Sequence, residues 1–144
     1  MRTCLLALAG LVMLFVLAAS ATATPPTTFT ITTNLTFSPS GAAGTFTATG
    51  LPCTGGTFVD EPVGGPLIRK SFTCPGGTFT IQIHTLHVTF DPDTGIATFS
   101  GPCNFLSGTG TFAGVQGTCD FSVVVNTNTR TGIETLSGEV HFEP

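Results

Sequence analysis

The chain has 144 residues, enough for one domain rather than two. Only 8% of them are charged, the formal net charge is −4, and there is no Trp or Tyr. A sparse, acidic surface without a basic cluster argues against nucleic acid or an anionic membrane as a partner.

Met1-Arg2-Thr3-Cys4 leads into an apolar run from Leu5 to about Ala19, followed by Ser20-Ala21-Thr22-Ala23 and Thr24-Pro25-Pro26. A basic start, an apolar centre and a small-x-small site read as a secretory signal peptide over 1–23, with cleavage after Ala23 fitting best. The run is short for a membrane anchor, which needs ~20 apolar residues. The expectation is a secreted protein, one domain over 24–144, free of the membrane once the leader is removed. Four cysteines then remain, Cys53, Cys74, Cys103 and Cys119, and an even count in an exported chain reads as two disulfides with three conceivable connectivities. Cys53–Cys74 and Cys103–Cys119 are favoured because each pair brackets a short two-strand segment. Each closure stabilises by ~3 kcal/mol in the chain-entropy model. The spacings lack the close CxxC pairs of a structural zinc site.

In chain order, Phe29, Ile31, Leu35 and Phe37 alternate with Thr and Asn, the period-2 pattern of a half-buried strand. Asn34-Leu35-Thr36 is a glycosylation sequon within it. Pro39-Ser40-Gly41 turns the chain into a second strand over Gly44–Gly50. Cys53-Thr54-Gly55-Gly56-Thr57-Phe58 recurs as Cys74-Pro75-Gly76-Gly77-Thr78-Phe79, a Gly pair followed each time by the Thr-Phe opening of a strand. Between the copies, Asp60-Glu61-Pro62-Val63-Gly64-Gly65-Pro66 reads as a loop and Leu67–Thr73 as a strand.

Thr78–Phe90 is the longest strand candidate. Phe79, Ile81 and Ile83 share one parity and Leu86, Val88 and Phe90 the other, so the register slips near His84-Thr85. A β-bulge there would turn both triplets to the core. Asp91-Pro92-Asp93-Thr94-Gly95 has the chemistry of a type I turn followed by a left-handed glycine. A further hairpin plan occurs twice, as Thr94-Gly95-Ile96-Ala97-Thr98-Phe99-Ser100-Gly101 and Thr131-Gly132-Ile133-Glu134-Thr135-Leu136-Ser137-Gly138. The whole predicts eight or nine strands and no helix beyond the leader. The expected fold is all-β, an antiparallel eight-stranded β-barrel, with a β-sandwich as the alternative; barrel closure removes the edges of strands that carry little charge.

Chemistry-bearing residues are few. Asp60, Glu61, Arg69 and His84 are the acid–base candidates, although adjacent carboxylates in a loop do not fix a catalytic distance. His84 and His87 are the metal candidates, yet positions i and i+3 of a regular strand face opposite ways, so no metal site is expected. Asp91 and Asp93 are explained as turn formers without calcium. There is no Gly-x-Ser-x-Gly elbow. Gly108, Gly110 and Ala113 fit the dinucleotide fingerprint in letters only, because Thr118-Cys119-Asp120-Phe121-Ser122-Val123-Val124-Val125 continues as a strand where that motif needs a helix. No cofactor is expected.

Gly108-Thr109-Gly110-Thr111-Phe112-Ala113-Gly114-Val115-Gln116-Gly117 resembles the G-x-G-x-F/Y-x-G-x-x-G signature of the allene oxide cyclase and dirigent-like barrels, closest in style to secreted bacterial members. The likeness runs from about Gly77 to Val125. It implies a calycin-like barrel with a cavity lined by inward side chains, and the option of a homo-oligomer. None of the family's catalytic residues can be placed on this chain. The leading expectation is a secreted barrel, leaning to non-catalytic, that binds a small apolar ligand or a surface partner. The alternatives are a cyclase or isomerase acting on an apolar molecule, and a cell-surface adhesion sandwich.

Overall fold

The computed structural model describes residues 22–144. The expected leader lies almost entirely outside them. The described chain is all-β: β1 (Thr27–Ser38), β2 (Gly41–Thr49), β3 (Gly55–Gly64), β4 (Leu67–Cys74), β5 (Gly77–His84), β6 (His87–Asp91), β7 (Ile96–Gly110), β8 (Val115–Asn126) and β9 (Thr131–Phe142). Every pairing is antiparallel between sheet neighbours, and a β5–β7 pairing closes the ring, giving an eight-stranded barrel with β6 as an extra strand. The sandwich alternative does not form.

Alternation along each strand sets the interior. On β1, Phe29, Ile31, Thr33 and Leu35 are buried while Thr30, Asn34 and Thr36 are exposed, so the sequon lies on the outer wall. The same period runs through Phe121, Val123 and Val125 of β8 and Leu136 and Val140 of β9.

One end of the barrel is closed by phenyl rings. Phe72 and Phe79 stack with centroids 4.6 Å apart, Phe46 meets Phe72 edge-on at 5.0 Å, and Phe29 meets Phe105 at 5.3 Å. The glycine-rich hairpin supplies the plug. β7 and β8 stop pairing beyond Asn104 and Thr118, and the turn folds the fully buried Phe112 between them, 4.5 Å from Phe79. Gly110 and Gly114 flank that turn at φ 60° and 73°, a backbone region that a side chain disfavours. Both expected disulfides are present, Cys53–Cys74 and Cys103–Cys119, with Cα separations of 6.3 and 4.8 Å. Two intramolecular disulfides are typical of extracellular proteins.

Two local expectations need correction. The segment from Asp60 to Gly64 is not a loop: it extends β3, pairing Asp60 with Lys70 and Glu61 with Arg69, with a register shift between Pro62 and Gly64. The shift absorbs the proline, and the turn shrinks to the residues around Gly65 and Pro66. The second correction concerns β6. The strand does break after His84, where the slip was expected, and β6 continues along the first half of β7. Val88 and Phe90 sit opposite Phe99 and Ala97, so they share the inner face of the sheet. They are nonetheless 59% and 58% exposed, and Leu86 55%, rather than in the core. The reason is length: β4 pairs with β5 only as far as His84, so β6 projects past the rim with no barrel wall opposite it.

Candidate functional site

The end opposite the phenyl plug is open. Here the last residues of β1, β3, β5 and β8 meet the first residues of β2, β4, β7 and β9 around a cavity of about 240 Å³. Its walls are apolar, with Leu35, Phe37, Ile68, Ile83, Phe99 and Val123 among them. Two carboxylates, Asp60 and Glu134, also line it.

These carboxylates belong to a buried ionic cluster built from two cross-strand pairs. Asp60 on β3 faces Lys70 on β4, and Thr33 on β1 faces Glu134 on β9. Lys70 is fully buried; its Nζ donates to Asp60 Oδ1 at 2.5 Å and lies 3.0 Å from Glu134 Oε2. Thr33 Oγ1 donates to the same Glu134 oxygen at 3.2 Å. The Lys70 ammonium also stands 4.1 Å from the centre of the Phe58 ring, on which a cation is favoured. The cluster is thus the boundary between the phenyl-packed half and the open half.

Asp60, Lys70 and Glu134 are the only ionisable side chains that the strand alternation turns into the interior among the described residues. One ammonium faces two carboxylates, so full ionisation leaves one surplus negative charge in a poorly solvated place. Burial pushes the Asp60 carboxyl above its ordinary value, against the pull of Lys70. Burial likewise raises Glu134, opposed by Lys70 and reinforced by the negative charge of Asp60. The pair is therefore disposed to hold a proton. Asp60 Oδ2 and Glu134 Oε1 accept no hydrogen bond from the described chain. No side-chain oxygen or nitrogen of the described residues is both sealed from solvent and unpartnered, so both oxygens keep some access to solvent, and both residues line the cavity.

Comparison with protein-family models, curated proteins and solved structures finds no match to this chain.

Of the acid–base candidates, only Asp60 reaches the interior. Glu61 and Arg69, one residue along on β3 and β4, turn outward as an ion pair 3.8 Å long with side chains 70% and 44% exposed. His84 is exposed on the outer wall, in a broad depression of about 540 Å³ shared with Gln82, Asn104 and Asp120. His87 is exposed on β6. Neither histidine joins a group of three or more metal-ligating side chains among the described residues. Asp91 and Asp93 form the predicted turn: Asp91 Oδ1 accepts from the Asp93 amide and Oδ2 from the Thr94 hydroxyl, which holds the Asp91 carboxyl below its ordinary value.

Lys70, Glu134 and Thr33 were not singled out by their residue types. The signal that finds them is parity. Ile68, Phe72 and Cys74 alternate inward on β4 and carry Lys70 with them, and Leu136 and Val140 do the same for Glu134.

Proposed function

We propose that this disulfide-bonded barrel is a secreted binding protein that takes a small apolar molecule into its open mouth. The observation carrying the reading is the cavity itself, an apolar chamber whose floor bears two carboxylate oxygens free to orient an occupant. That combination of apolar wall and few convergent polar groups is the usual make-up of a small-molecule site. At about 240 Å³ it lies below the ~300–1,000 Å³ of drug-sized pockets, so the enclosed part of the ligand is small. The inner face of β6 extends the apolar wall past the rim through Val88 and Phe90, a ledge for a longer tail. The form is also the one expected from the resemblance to the allene oxide cyclase and dirigent-like barrels. Calorimetric titration with benzyl alcohol tests it. Saturable one-to-one binding, abolished by A42W at the rim of the cavity, is expected; no binding, or binding unchanged in A42W, contradicts it.

One observation favours a second reading, an isomerase or cyclase acting on an apolar molecule: a carboxyl pair disposed to hold a proton borders an apolar cavity, the setting of general acid–base chemistry. Arg69 and His84, expected as its polar groups, lie outside the barrel, so that chemistry would fall to Asp60 and Glu134. The adhesion reading rested on a sandwich with open edges and has no such sheets to rest on.

A further inference from the structure

With both carboxyls ionised, the interior cluster is one positive charge short of neutral. Lys70 is its only cation, it stands on the side facing the Phe58 ring, and it is engaged by one oxygen from each carboxylate. The other two oxygens, Asp60 Oδ2 and Glu134 Oε1, have no donor among the described residues, and both side chains belong to residues that line the apolar cavity. Glu134 is nearly sealed, its side chain 4% exposed, so bulk water is a poor substitute for a partner. Both carboxylates meet the same ammonium nitrogen and are therefore neighbours.

We propose, building on the apolar-ligand reading above, that the mouth selects small apolar molecules carrying a protonated amine, whose N–H groups donate to Asp60 Oδ2 and Glu134 Oε1. The incoming ammonium completes an alternating set of two cations and two anions, so the buried charge falls to zero. Lys70 does not oppose it, because its own charge is already met by the carboxylates that lie between. A neutral hydroxyl supplies one ordinary hydrogen bond and leaves the surplus charge in place. An acid head adds a third negative charge and is rejected. A metal ion suits the site less well, since an ammonium already occupies the shared face of the carboxylates and no third ligating side chain is present among the described residues.

The test is a calorimetric series with benzylamine, benzyl alcohol and benzoate near pH 7, one apolar body with three heads. The expected order is benzylamine tighter than benzyl alcohol by about tenfold, the scale of a charge-assisted hydrogen bond, with benzoate weakest. In E134Q and in D60N the amine preference, read as the ratio of benzylamine to benzyl alcohol affinity within each variant, should shrink to about twofold. Acidification to about pH 4.5 should also erode the preference, as the two carboxyls take up protons. Equal or weaker binding of benzylamine than of benzyl alcohol by the unsubstituted protein overturns the proposal, and it does so even if neither variant folds. An amine preference intact in both variants overturns it as well, by placing the amine on the acidic outer wall. Failure of benzyl alcohol and benzylamine alike overturns the apolar-ligand reading and this proposal together. Binding of benzyl alcohol without amine preference overturns this proposal alone.

Discussion

The two ends of the barrel treat the same construction problem in opposite ways. At the closed end the inward positions are filled by Phe46, Phe72, Phe79 and Phe105, and the hairpin turn brings in Phe112 as a plug. At the open end the equivalent positions carry Asp60, Lys70, Thr33 and Glu134, and the space above them is left unfilled. The first arrangement maximises apolar burial. The second removes charges from water and leaves two carboxylate oxygens unmatched, at a cost in stability. On the proposed reading, the difference places stability at one end and recognition at the other.

That division should break most visibly under substitution. F79A removes a ring in contact with Phe72 and Phe112 and should cost ~3–5 kcal/mol by urea unfolding. The folded fraction should bind benzyl alcohol as before. K70M leaves two buried carboxylates without their cation and should cost a similar ~3–5 kcal/mol, now together with altered binding at the mouth. If F79A changed affinity as much as K70M did, the two ends would not be separable.

A smaller effect lies in the pH dependence. Asp60 and Glu134 titrate higher in the folded chain than their ordinary values, so the folded state holds protons that the unfolded state releases. Stability from this source is therefore fully present below the ordinary carboxylate range and is lost as pH rises through the elevated values. Asp91, lowered and fully exposed, acts in the opposite direction and only in more acid solution. The melting temperature should thus fall as pH rises above the ordinary carboxylate range, and the double variant D60N/E134Q should flatten the slope. A rising melting temperature over that range would mean that Lys70 fully compensates both carboxylates.

The smallest expected change concerns the ledge. F90S alters a side chain that is already 58% exposed and should shift stability by no more than about 0.5 kcal/mol. It should weaken a benzyl alcohol with a long alkyl tail about threefold while sparing benzyl alcohol itself. Equal effects on both would place the tail elsewhere.

Much of the fold was legible because period-2 alternation and turn residues are local signals. Phe29-Thr30-Ile31 and Gly95-Ile96 announce their own strand and turn, and the cysteines could be paired from the segments they bracket. The site was harder, because it is assembled from four strands distant in sequence. Asp60 stands out as a residue, but Pro62, Gly64 and Gly65 make its segment read as a loop although it lies on a strand. Lys70 was masked by its neighbour: Arg69-Lys70 looks like a solvated rim pair, whereas strand parity sends Arg69 out and Lys70 in. Leu86, Val88 and Phe90 carry the parity of a core face, but nothing local reveals that their strand runs beyond the rim.

The central claim, that recognition resides at the open end and the phenyl end is inert scaffold, is tested most directly by mapping backbone amide shifts during a benzyl alcohol titration. Saturating shifts at Leu35, Ile83, Phe99 and Val123, with Phe46, Phe72 and Phe112 unmoved, are the predicted result. Shifts centred on the phenyl end, or on the outer wall around Gln82 and Asn104, would contradict it.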